Sequence, residues 1–160
     1  MTGLAIRGAA PADAGLIHTF IRELAEYERL AQEVKISEDN IRRLLFGPTP
    51  HAFCDIAELD GAPVGFALWF YSVSTFEGHR GLYLEDLYVR PSARGAGAGM
   101  ALMTRLARRC VEEGLARMEW AVLDWNAPAI AFYDHLGATA KTEWITRKLT
   151  GEALERLGGK

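Results

Sequence analysis

The stretch Val89–Met103, VRPSARGAGAGMALM, sets three glycines and three alanines into the seven positions from Ala93 to Gly99. An apolar run ending in Tyr88 and Val89 precedes it, and apolar residues at helical spacing follow it. A strand, a turn of minimal side chains and a helix start leave several main-chain N–H groups without helical partners. Those donors, with the positive end of the helix dipole, make an anion site. Absent side chains let a bulky pyrophosphate come within hydrogen-bond distance of the main chain. Arg94 adds a charge-assisted contact. The competing reading is a turn of small residues needed only for close helix–strand packing.

Two familiar phosphate motifs do not fit. A Walker loop ends in Gly-Lys-Ser/Thr, whereas Gly99 is followed by Met100 and Ala101. A dinucleotide fingerprint starting at Gly95 and Gly97 needs a third small residue where Met100 stands. The spacing that fits is Arg94-x-x-Gly97-x-Gly99.

Working outward, "LAIRG" reads as an opening strand. From Pro11 to Arg29 the apolar residues Leu16, Ile17, Phe20, Ile21, Leu24 and Tyr27 fall on one helical face. Ser37 caps a second helix that stops at Gly47-Pro48. "AFCDIAEL" and "APVGFALWFYSV" are strands joined by an Asp60-Gly61 hairpin turn. "LYLEDLYV" is a further strand. The helix after the glycines carries Leu102, Met103, Leu106, Cys110 and Val111 on one side and ends at Gly114. "MEWAVL" is expected as a strand, Asn126 caps another helix closed by Gly137, "EWITRKL" is expected as a last strand, and the tail beyond it as frayed. This order predicts an α/β (α+β) fold, a mixed and largely antiparallel central sheet flanked by helices. With 160 residues and no linker or repeat, residues 1–160 are expected to form a single domain.

Composition narrows the function. The net charge of −3 argues against nucleic-acid binding, and 49% hydrophobic with 24% charged residues is ordinary for a soluble protein. There is no membrane-length apolar run and no signal-peptide core, so a cytoplasmic protein is expected. Two cysteines, Cys54 and Cys110, make no disulfide framework. Four histidines show no metal-binding spacing, so no metal is expected.

Two further features bear on chemistry. Asn126 and Tyr133 stand seven residues apart on one helix face, and both are as readily a cap and a core tyrosine as functional groups. In "LYLEDLYV", alternation puts Glu85 with Tyr83, Leu87 and Val89, and Asp86 with Leu84 and Tyr88. At least one acid therefore points at an apolar face. It needs a partner, a cleft or an edge strand. A carboxylate at a cleft holds a cationic amine and draws off its proton. That proton must leave, because an alkylamine of pKa ~10.4 attacks a carbonyl only in its neutral form.

The loop, the preceding "LEDLYV" strand and the later "LDWNAPAIAFYDHLGA" together resemble the GNAT superfamily of N-acetyltransferases, most closely its diamine (spermidine/spermine) and thialysine acetyltransferase group. That resemblance implies acetyl-CoA as co-substrate. Its pyrophosphate would lie on Gly95, Ala96, Gly97, Ala98, Gly99 and Met100, with Arg94. Its thioester and pantetheine would lie along the main chain of Leu87, Tyr88 and Val89, with an N–H near Tyr88 polarising the carbonyl. Asn126 would contact the cofactor. Tyr133 would protonate the departing thiolate, and Glu85 would serve the incoming amine. Tyr27, Glu28 and Glu85 would bind the amine, and the strand reading above adds Asp86 to them. The resemblance weakens after Ala138, where "TAKTEWITRKL" is shorter than the group's glutamate-rich segment. It also implies a homodimer. Direct attack on the thioester is expected, with no cysteine acyl-enzyme. The alternatives are a GNAT enzyme acting on a peptide, protein or aminoglycoside amine, a non-catalytic CoA sensor, and a structural domain.

Overall fold

The computed structural model describes residues 3–159. The chain divides into two compact units, one running through Ala121 and the other starting at Val122. In the first unit, β1 (Leu4–Gly8), β2 (Phe53–Leu59), β3 (Ala62–Ser74), β4 (His79–Val89) and β5 (Met118–Trp120) form a five-stranded sheet in sequence order. All neighbours are antiparallel except β4 and β5, which run parallel. The expected mixed, largely antiparallel sheet is therefore the observed one.

Local chemistry sets the connections. Asp60 (φ 52°) and Gly61 (φ 81°) make the two-residue turn between β2 and β3, both in the left-handed region such a hairpin requires. Ser37 caps α2 (Glu38–Phe46) reciprocally: its hydroxyl accepts from Asn40 N–H at 3.1 Å, and Asn40 Oδ1 accepts from Ser37 N–H at 2.8 Å. α1 (Ala14–Tyr27) begins after a short 3-10 turn at Pro11–Asp13.

Helices cover both sheet faces. α1 and α2 close one face through Ile17, Phe20, Ile41 and Leu45 against Cys54, Ile56, Phe66, Leu68 and Tyr88. On the other face lies α3 (Ala98–Glu113), whose Leu102, Met103 and Leu106 are buried, as are Trp69, Leu82 and Leu84 of the sheet. Asp55, buried on that face, accepts from Trp69 Nε1 at 3.0 Å and Arg105 Nε at 2.6 Å, which fastens α3 to β2 and β3.

The second unit holds α4 (Ala127–His135) and α5 (Gly151–Leu157). Four expectations are corrected. "MEWAVL" is a strand only over Met118–Trp120, because its ladder with β4 ends at Leu84, where β4 bulges. "EWITRKL" takes no strand conformation: its unit contains no other strand, among the described residues, to complete a ladder. The tail is not frayed throughout, since the helix-favouring run "GEALERL" forms α5. Val111 is 82% exposed, off the buried stripe of α3.

Candidate active site

α1 delivers the Tyr27-Glu28 pair. It ends in a Schellman arrangement: Leu30 N–H reaches Ala25 O at 2.8 Å and Arg29 N–H reaches Glu26 O at 3.1 Å. Arg29, at φ 61°, takes the left-handed position usually given to glycine. The chain thus reverses just beyond Glu28. Burial pushes the Glu28 carboxyl above its ordinary value.

β4 carries the other two acids, but simple alternation misplaces them. Leu68 pairs with Asp86 and Trp69 pairs with Leu84, so Glu85 is the extra residue of a bulge. The faces switch at that point. Leu84 lies on the α3 side with Trp69, whereas Asp86 lies with Leu68 and Tyr88 on the α1 side, which also takes Tyr83. Glu85 is exposed and Asp86 half-buried. Burial, then the charges of Glu85 and Glu28, push Asp86 up to about 7. Three carboxylates thus share one electrostatic neighbourhood.

The same bulge frees main chain. Arg90 N–H donates to Val64 O at 2.8 Å, and hydrogen-bonded residues alternate along an antiparallel pair. Tyr88 and Asp86 therefore turn their peptide groups toward β3, while Leu87 and Val89 turn theirs to the opposite edge. From that edge Arg94 Nε reaches Val89 O at 3.1 Å. β5 pairs with β4 only as far as Leu84, so beyond it this edge has no strand neighbour among the described residues. The amides offered there belong to Leu87 and Val89. The amide of Tyr88 itself faces β3, so an N–H near Tyr88 open to a ligand is that of Leu87 or Val89.

Beyond Val89, the turn Pro91–Ala93 leads to Gly95 (φ 85°) and Gly97 (φ 86°), a backbone only glycine adopts easily. Gly97 is the N-cap of α3 and brings no capping side chain. Arg94 N–H is taken by Pro91 O and Ala96 N–H by Ala93 O (3.4 Å), and helical bonding starts with Ala101 N–H to Gly97 O. The amides of Gly95, Gly97, Ala98, Gly99 and Met100 have no acceptor among the described residues. Five of the six expected donors are therefore present, and that of Ala96 is used internally. The Arg94 guanidinium stacks 4.9 Å from the Tyr27 ring, so it packs on α1 in this conformation.

In the second unit, Asn126 Oδ1 accepts from Ala129 N–H at 3.3 Å, a true helix cap, and Pro128 occupies the first turn of α4. Tyr133 lies two turns along α4, its ring 5.6 Å from that of Phe132.

Burial pushes the Cys54 thiol far up, and burial also raises Cys110. Among the described residues, no group of three or more His, Cys, Asp or Glu side chains is disposed to hold a metal ion, and no helix is long and apolar enough to cross a membrane.

A strand with a mid-length bulge and an open edge thus runs into a donor-rich helix start, a frame suited to an anionic ligand. The model of the acetyltransferase (GNAT) family matches residues 17–138. The chain belongs to that family. Full-length relatives of this acetyltransferase include the thialysine N-epsilon-acetyltransferases of Bos taurus, 42% identical, and Sus scrofa, 41% identical, each over 171 residues covering 100% of both chains. An integron cassette protein from the mobile metagenome of V. cholerae shares the fold with a TM-score of 0.81 at 24% identity, covering 98% of each chain. The family implies acetyl-CoA as donor.

Reading the sequence missed three features of this GNAT chain: the bulge, the Leu87/Val89 alternation, and an ion pair between Arg90 and Glu23 at the base of the loop. Two adjacent acids inside an apolar strand were the available signal for the first, since a regular strand buries one of them at a cost. Nothing local marks a pair 67 residues apart.

Proposed function

We propose that this acetyltransferase moves the acetyl group of acetyl-CoA to the primary amine of a small cationic acceptor, a thialysine-like amino acid or a diamine, by direct attack. The observation that carries the proposal is the bulge at Glu85, which sets Asp86 and Glu28 in one acidic neighbourhood and leaves the Leu87 and Val89 amides open on the adjoining strand edge. The names of the full-length relatives agree with an amine on an amino-acid side chain.

The free amides from Gly95 to Met100 hold the pyrophosphate, and the Leu87 N–H donates to the thioester oxygen as charge develops there. Glu28, Glu85 and Asp86 attract the ammonium. Asp86, ionised above about 7, accepts its proton directly or through one water. The freed nitrogen attacks the acetyl carbon, the C–S bond breaks, and the leaving thiolate takes the phenolic proton of Tyr133. The motif resemblance assigns Tyr133 that role and assigns Asn126 a cofactor contact. The same proposal takes residues 1–160 as one catalytic domain, working as a homodimer in the cytoplasm and without a metal.

The test is thiol release from acetyl-CoA with thialysine, lysine, putrescine, spermidine and a lysine-containing peptide. Turnover with the small amines and little with the peptide is expected. Turnover with the peptide alone refutes the acceptor class, and no thiol release with any amine refutes the transfer.

A further inference from the structure

Arg90 immediately precedes the loop, and three of its five guanidinium N–H donors are committed to acceptors of the protein itself. Its Nε lies 3.0 Å from Glu23 Oε2 and 3.2 Å from Oε1, Nη2 lies 3.1 Å from Oε1, and Nη1 donates to Pro63 O at 3.2 Å. The guanidinium face lies 4.9 Å from the Phe20 ring. Its main chain is equally committed: N–H to Val64 O at 2.8 Å, and carbonyl accepting from Ala93 N–H at 2.9 Å, the first bond of the turn into the loop. A single residue thus joins α1, the start of β3, the end of β4 and the base of the loop. Burial, followed by the charge of Glu23, holds the Tyr88 phenol above its ordinary value, so Glu23 also acts on the residue between Leu87 and Val89.

Arg94, four residues on, stacks over Tyr27, one helical turn beyond Glu23 on α1. Two arginines of the loop region therefore grip one side of the helix whose end carries Tyr27 and Glu28. A planar five-donor fork suits this task, because it meets a carboxylate with two parallel bonds while lying flat on a ring.

We propose that Arg90 and Glu23 are positioning residues for acetyl-CoA: their pair holds the loop and the Leu87/Val89 edge in the geometry that receives the cofactor, without touching it. This inference rests on the proposed acetyl-CoA chemistry. Misplacing the loop by a fraction of an ångström weakens several hydrogen bonds at once.

Calorimetric titration with CoA, steady-state kinetics and thermal melting of the wild type, Arg90→Lys, Arg90→Ala and Glu23→Gln test it. The expected result is a KM for acetyl-CoA and a Kd for CoA raised about tenfold in all three variants, with KM for the amine little changed. Arg90→Lys should not rescue, since an ammonium cannot bridge both carboxylate oxygens and Pro63 O. Folded variants that bind CoA as tightly as the wild type, or that only melt earlier, overturn the inference. Wild-type protein that binds no CoA overturns the proposed function itself, a distinct outcome. Should Arg90→Ala not fold, Glu23→Gln and Arg90→Lys still decide.

Discussion

Replacing Asp86 by Asn probes the acidic neighbourhood through stability and catalysis together. Burial, Glu85 and Glu28 raise this carboxyl from 3.8 to about 7 in the folded chain. Between those values the folded state holds a proton the unfolded state has released, so stability falls as pH rises through that window. Above about 7 the whole penalty is present. With an ordinary unfolded-state pKa, the displacement is worth about 4 kcal/mol, shrinking to below about 1 kcal/mol at pH 4. Asn removes the charge and keeps the size. Asp86→Asn should therefore melt roughly 10 °C higher than the wild type at pH 8, by the usual scaling for a domain of this length, and nearly together with it at pH 4. Activity should move the other way: kcat/KM for the amine falls about a hundredfold at pH 8, and the wild-type inflection near 7 disappears. A melting difference independent of pH, or a variant less stable than the wild type at pH 8, refutes the buried-carboxylate reasoning. Full activity in the variant refutes the base.

Two other substitutions probe other steps of the proposal. Tyr133→Phe should lower kcat about a hundredfold with little change in KM for acetyl-CoA, and unchanged turnover across the pH range would remove the tyrosine as proton donor. A Cβ on Gly65 would meet Tyr88 O at 2.5 Å and Val89 Cα at 3.1 Å, both main chain. Gly65→Ala should therefore push β4 aside, costing about 1–3 kcal/mol in urea denaturation and raising KM for acetyl-CoA. A variant as stable as the wild type, with normal KM, would mean the strand accommodates the methyl group.

Where local chemistry decides the conformation, the sequence was readable. Asp60-Gly61, Ser37, Gly97 and Asn126 each act within a few residues, and each does in the structure what its side chain or its freedom at positive φ dictates. The donor-rich helix start followed from the same kind of reasoning. Properties set by tertiary pairing were not readable. Counting by twos put Asp86 beside Leu84, and one inserted residue at Glu85 reversed that. Of the three main-chain positions Leu87, Tyr88 and Val89, only the register of β4 on β3 tells which turn their amides to the open edge. "EWITRKL" reads as a strand, but a strand-like run supplies no neighbouring strand of its own. Nothing local foretells that the Arg94 guanidinium lies over the Tyr27 ring, 67 positions away in the chain.

The most direct measurement is a crystal structure with acetyl-CoA bound. The diphosphate should lie within hydrogen-bond reach of the Gly95 and Gly97–Met100 amides, and the thioester oxygen should accept from Leu87 N–H. A diphosphate held elsewhere, or a thioester whose oxygen meets no main-chain N–H of β4, would contradict the mechanism at its base.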